Sequence, residues 1–210
     1  IRAKVIPHQH HCEYVIFERY AEIEKDLPKK LALLNQAWHI RRYEKKICAT
    51  ADCILAAPND IEELVAIGAE RKKFFLTYHL GDDSLLQLPA LHFEGTEKAL
   101  LYVGTLSWEA NIHGLLWFHE NVWPIITQQH PDLKLYVVGK NPDPRLQAMA
   151  ATDDRIVLTG YIEDLDPYFR RARLFISPLR FGSGIKVKVI SSLYRGIPCV
   201  TTNIGAEGLH

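Results

Sequence analysis

The chain has 210 residues, 48% of them apolar, with 25 basic and 25 acidic residues giving a formal net charge of zero. That length allows one or two packed domains, and the neutral balance excludes a general nucleic-acid binder, which would carry a basic surplus. No run of roughly 18 apolar residues exists to cross a membrane, and the opening Ile1-Arg2-Ala3-Lys4-Val5-Ile6-Pro7 has neither a starting Met nor the layout of a secretory leader. The chain is expected to be an excerpt of something longer. Cys12, Cys48, Cys53 and Cys199 are scattered without C-x-x-C spacing, which predicts free, buried thiols in a reducing cytosol.

In chain order, residues 3–7 predict a short strand. His8-Gln9-His10-His11-Cys12-Glu13 offers zinc-type ligands, but no second ligand pair accompanies them, so a polar strand-to-loop turn lining a cleft is preferred and no metal residue is assigned. Residues 18–46 alternate charge and aliphatics at helical spacing (Leu31, Leu34, Trp38, Arg41, Arg42, Lys45) and predict one long helix with a solvated charged face. Residues 52–57 predict a strand. Residues 60–68 predict a helix capped by Asn59 or Asp60 and closed by Gly68, and residues 74–78 a further strand. Residues 81–98 lack a period and are punctuated by Gly81, Asp82, Asp83, Pro89 and Gly95, which predicts a linker with a domain boundary near Phe93.

The remainder is more regular. Strands are predicted at 99–103, 133–138, 155–159, 174–177 and 198–202. Helices are predicted at 112–129, 144–150 and 165–172, and from just after Gly184 to Gly196. In the last helix Val187, Ile190, Leu193 and Tyr194 share one expected core face. Strand alternating with helix predicts parallel strands joined by right-handed crossovers, with any ligand at the carboxyl edge of the sheet. Around Leu174-Phe175-Ile176-Ser177-Pro178-Leu179-Arg180-Phe181-Gly182-Ser183-Gly184-Ile185-Lys186-Val187-Lys188, a strand, a glycine loop and a helix start make an anion cradle. Free helix amides and the dipole attract phosphate, and Arg180, Lys186 and Lys188 add formal charge. Lys186 and Lys188 are two residues apart, so if one meets a ligand the other is expected to be solvated. An ordinary strand-to-helix turn with solvated lysines is the alternative. A dinucleotide-dependent oxidoreductase is disfavoured, because the loop after Val103 is not G-x-G-x-x-G and the expected acidic partner is missing.

Five stretches stand in a set order: Tyr102-Val103-Gly104-Thr105-Leu106-Ser107-Trp108 with Asn111 and Gly114; Val137-Val138-Gly139-Lys140-Asn141-Pro142; Thr159-Gly160-Tyr161; the cradle above; and Gly196-Ile197-Pro198-Cys199-Val200-Thr201-Thr202 with Gly205-Ala206-Glu207-Gly208. Together they resemble the donor-binding domain of group 1 (family 4) glycosyltransferases of the GT-B fold. Earlier, His10 with Glu13-Tyr14, Arg42-Tyr43-Glu44 and Ala51-Asp52-Cys53-Ile54-Leu55 are similar to the late part of the family's N-terminal domain. The resemblance implies an α/β protein. Residues 1–92 would be part of an acceptor-side α/β domain with a linker, and residues 93–210 a Rossmann-like, parallel-sheet donor domain truncated at its end. It implies sugar transfer from a nucleotide-sugar to a glycan or lipid-linked acceptor, usually with retention, in glycan or envelope polysaccharide synthesis. The expected place is the cytoplasm, with a peripheral position at the inner membrane face allowed.

By that resemblance Gly104, Thr105, Arg180, Gly182, Ser183, Gly184, Lys186 and Lys188 bind the donor phosphates, and Gly160, Tyr161 and Ser191 lie at the nucleoside. No cofactor beyond the donor is implied, and the catalytic residue is expected upstream of Ile1. Ser183 and Ser191 stand where many members carry glutamates, the second of which contacts the ribose. The loop after Gly104 lacks the Arg and Lys that many members place there. A catalytically silent GT-B domain that binds nucleotide or a partner protein is the alternative, favoured by Ser191.

Overall fold

A computed structural model describes residues 3–78 and 81–209. Its contacts form two units: Ile1–Leu80 with Phe181–Lys186 and Ala206–His210, and Gly81–Arg180 with Val187–Gly205. The chain changes unit at Gly81, whereas the sequence places the domain boundary near Phe93.

In the first unit, the single helix expected over 18–46 is two helices, α1 (Glu13–Ile23) and α2 (Leu27–Thr50). Glu24 is extended, and Asp26 then caps α2 by accepting from the Lys29 amide at 2.9 Å. Pro28 sits in the first turn of α2, where a missing N–H costs nothing. The charged face is not wholly solvated either. Glu44 is 7% exposed and accepts from the amides of Glu13 (2.9 Å) and Tyr14 (3.4 Å) and from Gln9 Nε2 (3.2 Å). Cys12 supplies no side-chain cap to α1, so Glu44 takes over that task from the neighbouring helix. Glu44→Ala is expected to cost about 1–2 kcal/mol, the loss of a capping acceptor, read as a lower urea midpoint.

Strand β1 (Ile54–Ala56) pairs in parallel with β2 (Phe74–Leu76), and α3 (Pro58–Ala66) connects them. The strand expected at 3–7 is reduced to one bridge, His8 to Leu55, flanked by bonds from Leu55 N to Pro7 O and from Gln9 N to Leu55 O. Neither Asn59 nor Asp60 caps α3. Its first turn starts with Pro58, and Asp60 is buried. Gly68, at φ 97°, closes the helix as expected. Cys12, Tyr14, Val15, Cys48, Ile54 and Leu64 form this unit's core. All four cysteines are free; Cys12 and Cys48 are buried, Cys53 and Cys199 half-buried.

The second unit is a five-stranded parallel sheet in the order β5-β4-β3-β6-β7. Its strands are β3 (Ala99–Val103), β4 (Lys134–Val138), β5 (Ile156–Gly160), β6 (Leu174–Ser177) and β7 (Cys199–Thr201). Its helices are α4 (Glu109–Asn121), α5 (Trp123–Gln129), α6 (Pro144–Ala151), α7 (Asp166–Arg171) and α8 (Val187–Tyr194). The helix expected over 112–129 breaks at Val122, because Pro124 starts a new first turn and has no N–H to continue the old one. Residues 81–98 are irregular apart from a 3-10 turn at Asp83–Gln87. The near-continuous apolar strands fit a sheet covered on both faces: on one, Leu100, Tyr102, Leu135, Val137, Ile156 and Ile176 pack with Leu115, Phe118 and Leu146, and on the other Leu101, Tyr136, Val138 and Phe175 are buried as well. Among the described residues no helix is long and apolar enough to cross a membrane.

The inward face of α8 is not the expected one. Val187 is 47% and Leu193 50% exposed, while Val189, Ser192 and Arg195 are buried. Ser192 Oγ is satisfied by Val189 O at 2.7 Å, and the Arg195 guanidinium pairs with Asp166 at 2.6 Å. Tertiary partners make a polar face buriable where periodicity alone selects the apolar one.

Candidate functional site

In the second unit every parallel strand delivers its loop to one edge of the sheet, and the backbones there approach closely. Gly104, Gly139 and Gly160 stand side by side. Gly104 N donates to Val138 O and Gly139 N to Gly160 O, each at 3.0 Å. A Cβ on Gly139 would overlap the Gly104 carbonyl, and one on Gly114 would come within 2.6 Å of Pro178 O. Leu106 N donates to Lys140 O, and Thr202 Oγ1 donates to Leu179 O, so the loops after β3 and β4 are tied together, as are those after β6 and β7. Rigid crossover loops at a carboxyl edge are where parallel sheets bind ligands.

Two cations of the expected set belong to this unit. Lys188 Nζ donates to Tyr102 Oη and Asn111 Oδ1, both at 2.8 Å, and lies 4.4 Å from the Tyr102 ring centroid. Asn111 Nδ2 in turn donates to Thr105 O at 2.9 Å, which links Lys188 to the Gly104-Thr105 loop. Tyr102 is fully buried, and burial holds its phenol well above the usual tyrosine range, so it stays a neutral partner. Arg180 stacks its guanidinium 5.5 Å from the Trp117 centroid. Of the expected nucleoside residues, Gly160 ends β5 at φ 75° and Tyr161 is 71% exposed. Ser191 lines a cavity of about 270 Å³ together with Asp82, Glu163, Asp166 and Arg195.

Gly182, Ser183, Gly184 and Lys186 belong to the first unit. Gly182 (φ 141°) and Gly184 (φ 75°) hold conformations that suit glycine, and a Cβ on Gly184 would lie 2.6 Å from His10 O. Cys12 N donates to Ser183 Oγ at 3.2 Å. Lys186 Nζ donates to Gly184 O and lies 3.5 Å from Glu207 Oε2. Burial pulls its ammonium below the usual lysine range, against the opposing pull of Glu207. The expectation that one lysine is solvated therefore fails. Lys186 and Lys188 are both engaged, because each meets buried acceptors that the sequence does not reveal. Sequence reasoning also missed Arg19. It donates to Gly182 O (2.6 Å) and grips Glu207 in a fork (2.9 and 3.1 Å). The one signal for the partner is the Gly205-Ala206-Glu207-Gly208 run; Arg19 itself lies unmarked in a charged helix. Among the described residues no group of three or more His, Cys, Asp and Glu side chains could hold a metal ion.

Comparison with known proteins agrees with this architecture. Anabaena HepE, crystallised in complex with UDP-glucose, superposes with a TM-score of 0.68 at 14% identity over 100% of this chain and 56% of its own. WaaG, a glycosyltransferase involved in lipopolysaccharide biosynthesis, gives 0.69 at 12% identity over 97% of this chain and 58% of its own. At such identities the likeness is one of fold, α/β with a Rossmann-like parallel sheet, as in GT-B glycosyltransferases. In sequence, a 44.6 kDa uncharacterized protein in the cps region of Klebsiella pneumoniae is 24% identical over 95% of this chain and 51% of its own length. The chain thus spans about half the length of these relatives. The family model of group 1 glycosyl transferases matches residues 97–210, more than half of the chain. The chain belongs to the group 1 glycosyltransferases.

Proposed function

We propose that the chain carries the donor side of a retaining transferase that moves a sugar from a nucleotide-sugar to a glycan or lipid-linked acceptor. The observation that carries this reading is the carboxyl edge of the second unit, where Lys188 is held between Tyr102 and Asn111 beside the Gly104-Thr105 loop. Departure of a nucleoside diphosphate develops negative charge that preorganised donors stabilise. Arg180, Lys188 and the loop amides supply that stabilisation; Gly160, Tyr161 and Ser191 flank the nucleoside. HepE's complex with UDP-glucose supports a uridine donor. The cps-region relative and WaaG support a role in envelope polysaccharide; the expected place of the donor reaction is the cytoplasm. A nucleotide-binding domain without transfer activity is the second reading, favoured by serine at position 191, which offers a ribose one uncharged oxygen where a carboxylate offers two charged ones.

Titration calorimetry of the chain is expected to show weak binding of uridine diphosphate, with no turnover by the chain alone, which spans about half the length of its relatives. Arg180→Ala should abolish the heat, and Lys188→Met should weaken binding at least tenfold, a charge-assisted bond's worth. A folded chain that gives no heat with uridine or guanosine diphosphate would refute the donor reading. Donor-dependent sugar transfer by a longer protein containing this chain would decide against the silent domain.

A further inference from the structure

Arg19 belongs to no motif, yet its guanidinium is among the most constrained cations of the first unit. Nη1 donates to Gly182 O at 2.6 Å, which orients the fork. The same fork meets Glu207, Nη2 to Oε1 at 2.9 Å and Nη1 to Oε2 at 3.1 Å, and Lys186 Nζ approaches Oε2 at 3.5 Å. The three side chains are only 22%, 13% and 11% exposed for Arg19, Glu207 and Lys186. Two largely desolvated cations converging on one carboxylate is the arrangement that also receives a phosphate, since a guanidinium fork matches both groups. Nearby acids offset part of the charge: Glu63 Oε1 is 3.7 Å from Arg19, and buried Asp60 lies within electrostatic reach of Lys186 and Glu207. Glu207 itself sits in a run of turns with Gly208 at φ 81°, a segment without helix or strand to anchor it.

We propose that Arg19 and Lys186 form an oxyanion-binding pair whose built-in occupant is the Glu207 carboxylate, and that a phosphate or diphosphate binds by displacing it. The carboxylate oxygens stand where phosphate oxygens would lie. A diphosphate brings more charge and more acceptor oxygens than the group it replaces, and Arg19 keeps its bond to Gly182 throughout. The proposal rests on the nucleotide-sugar reading for the identity of the anion, and not for the existence of the pair.

The test titrates inorganic pyrophosphate and, separately, uridine diphosphate into the wild-type chain, Glu207→Gln, and Glu207→Gln combined with Arg19→Gln, at one ionic strength. Glu207→Gln keeps the side chain's shape and removes the charged competitor, so pyrophosphate is expected to bind about tenfold tighter or more. Adding Arg19→Gln should erase that gain. If the Arg19 variant does not fold, Lys186→Met in the Glu207→Gln background must erase it instead. Pyrophosphate binding that is unchanged or weaker in Glu207→Gln, or a gain that survives loss of Arg19 or Lys186, overturns the proposal. Uridine diphosphate bound by the wild-type chain, with no gain for either probe in Glu207→Gln, overturns it while leaving the donor reading intact. A pyrophosphate gain with no uridine diphosphate bound by any variant upholds the pair and counts against the donor reading. No binding of either probe by any variant overturns the pair and counts against the donor reading as well.

Discussion

Gly139→Ala is expected to cost about 3 kcal/mol of stability, at the upper end of what an added methyl does in a packed site. The new Cβ would run into the Gly104 carbonyl and would also lie 2.9 Å from Leu106 Cγ. Backbone cannot swing aside as a flexible side chain can. Relief requires β3 and β4 to part at their carboxyl ends, where Gly104 N is bonded to Val138 O. The same displacement carries the Gly104-Thr105 loop away from Asn111 and so from Lys188. Urea denaturation should show a midpoint lowered at unchanged slope, and nucleotide binding should fall with it. Wild-type stability in this variant would mean that the Gly104 and Gly139 backbones do not meet in close contact. Gly160→Ala is the control, since nothing lies within 4 Å of its would-be Cβ; only the strain of its φ 75° remains, on the order of 1 kcal/mol.

Arg195→Met is expected to destabilise the chain by a similar amount, for an electrostatic reason. The Arg195 side chain is 2% exposed, pairs with Asp166 Oδ1 at 2.6 Å, and reaches Pro89 O at 3.3 and 3.4 Å. Removing one member of a buried pair leaves the other uncompensated, which costs about 3–5 kcal/mol. Arg170 still contacts Asp166 Oδ2 at 2.6 Å, so the lower figure applies. Adding Asp166→Asn should recover part of the loss, because the penalty is chiefly that of the stranded carboxylate. A thermal shift of only a degree or two for Arg195→Met would show that the pair is dispensable. Both residues line the cavity that contains Ser191, so uridine diphosphate affinity should drop in Arg195→Met and respond again in the double variant.

The architecture of the second unit was readable because its strands are short apolar runs, four of them stopped by Gly104, Gly139, Gly160 and Pro178, with helical spacing between. That pattern dictates a parallel sheet, and a parallel sheet dictates the edge where loops gather. Helix breaks were harder. Pro28 and Pro124 each open a new first turn inside a charged or apolar pattern that looks continuous. The buried face of α8 escaped notice because periodicity counts apolar residues, and Ser192 and Arg195 are buried by partners far away in sequence. Glu44 beneath α1, and Arg19 with Glu207, share that cause: each polar group is defined by a contact that no local window contains.

The position of β3 has a consequence for synthesis. Its neighbour β4 follows closely in the chain, but its other neighbour, β6, emerges only from Leu174 onward. A nascent chain halted between those points presents Leu100 and Leu101 on a strand with one open flank, the geometry that invites pairing with another copy. Ribosome pausing before Leu174 should therefore favour aggregation, and a stretch made quickly through Ser177 should suppress it.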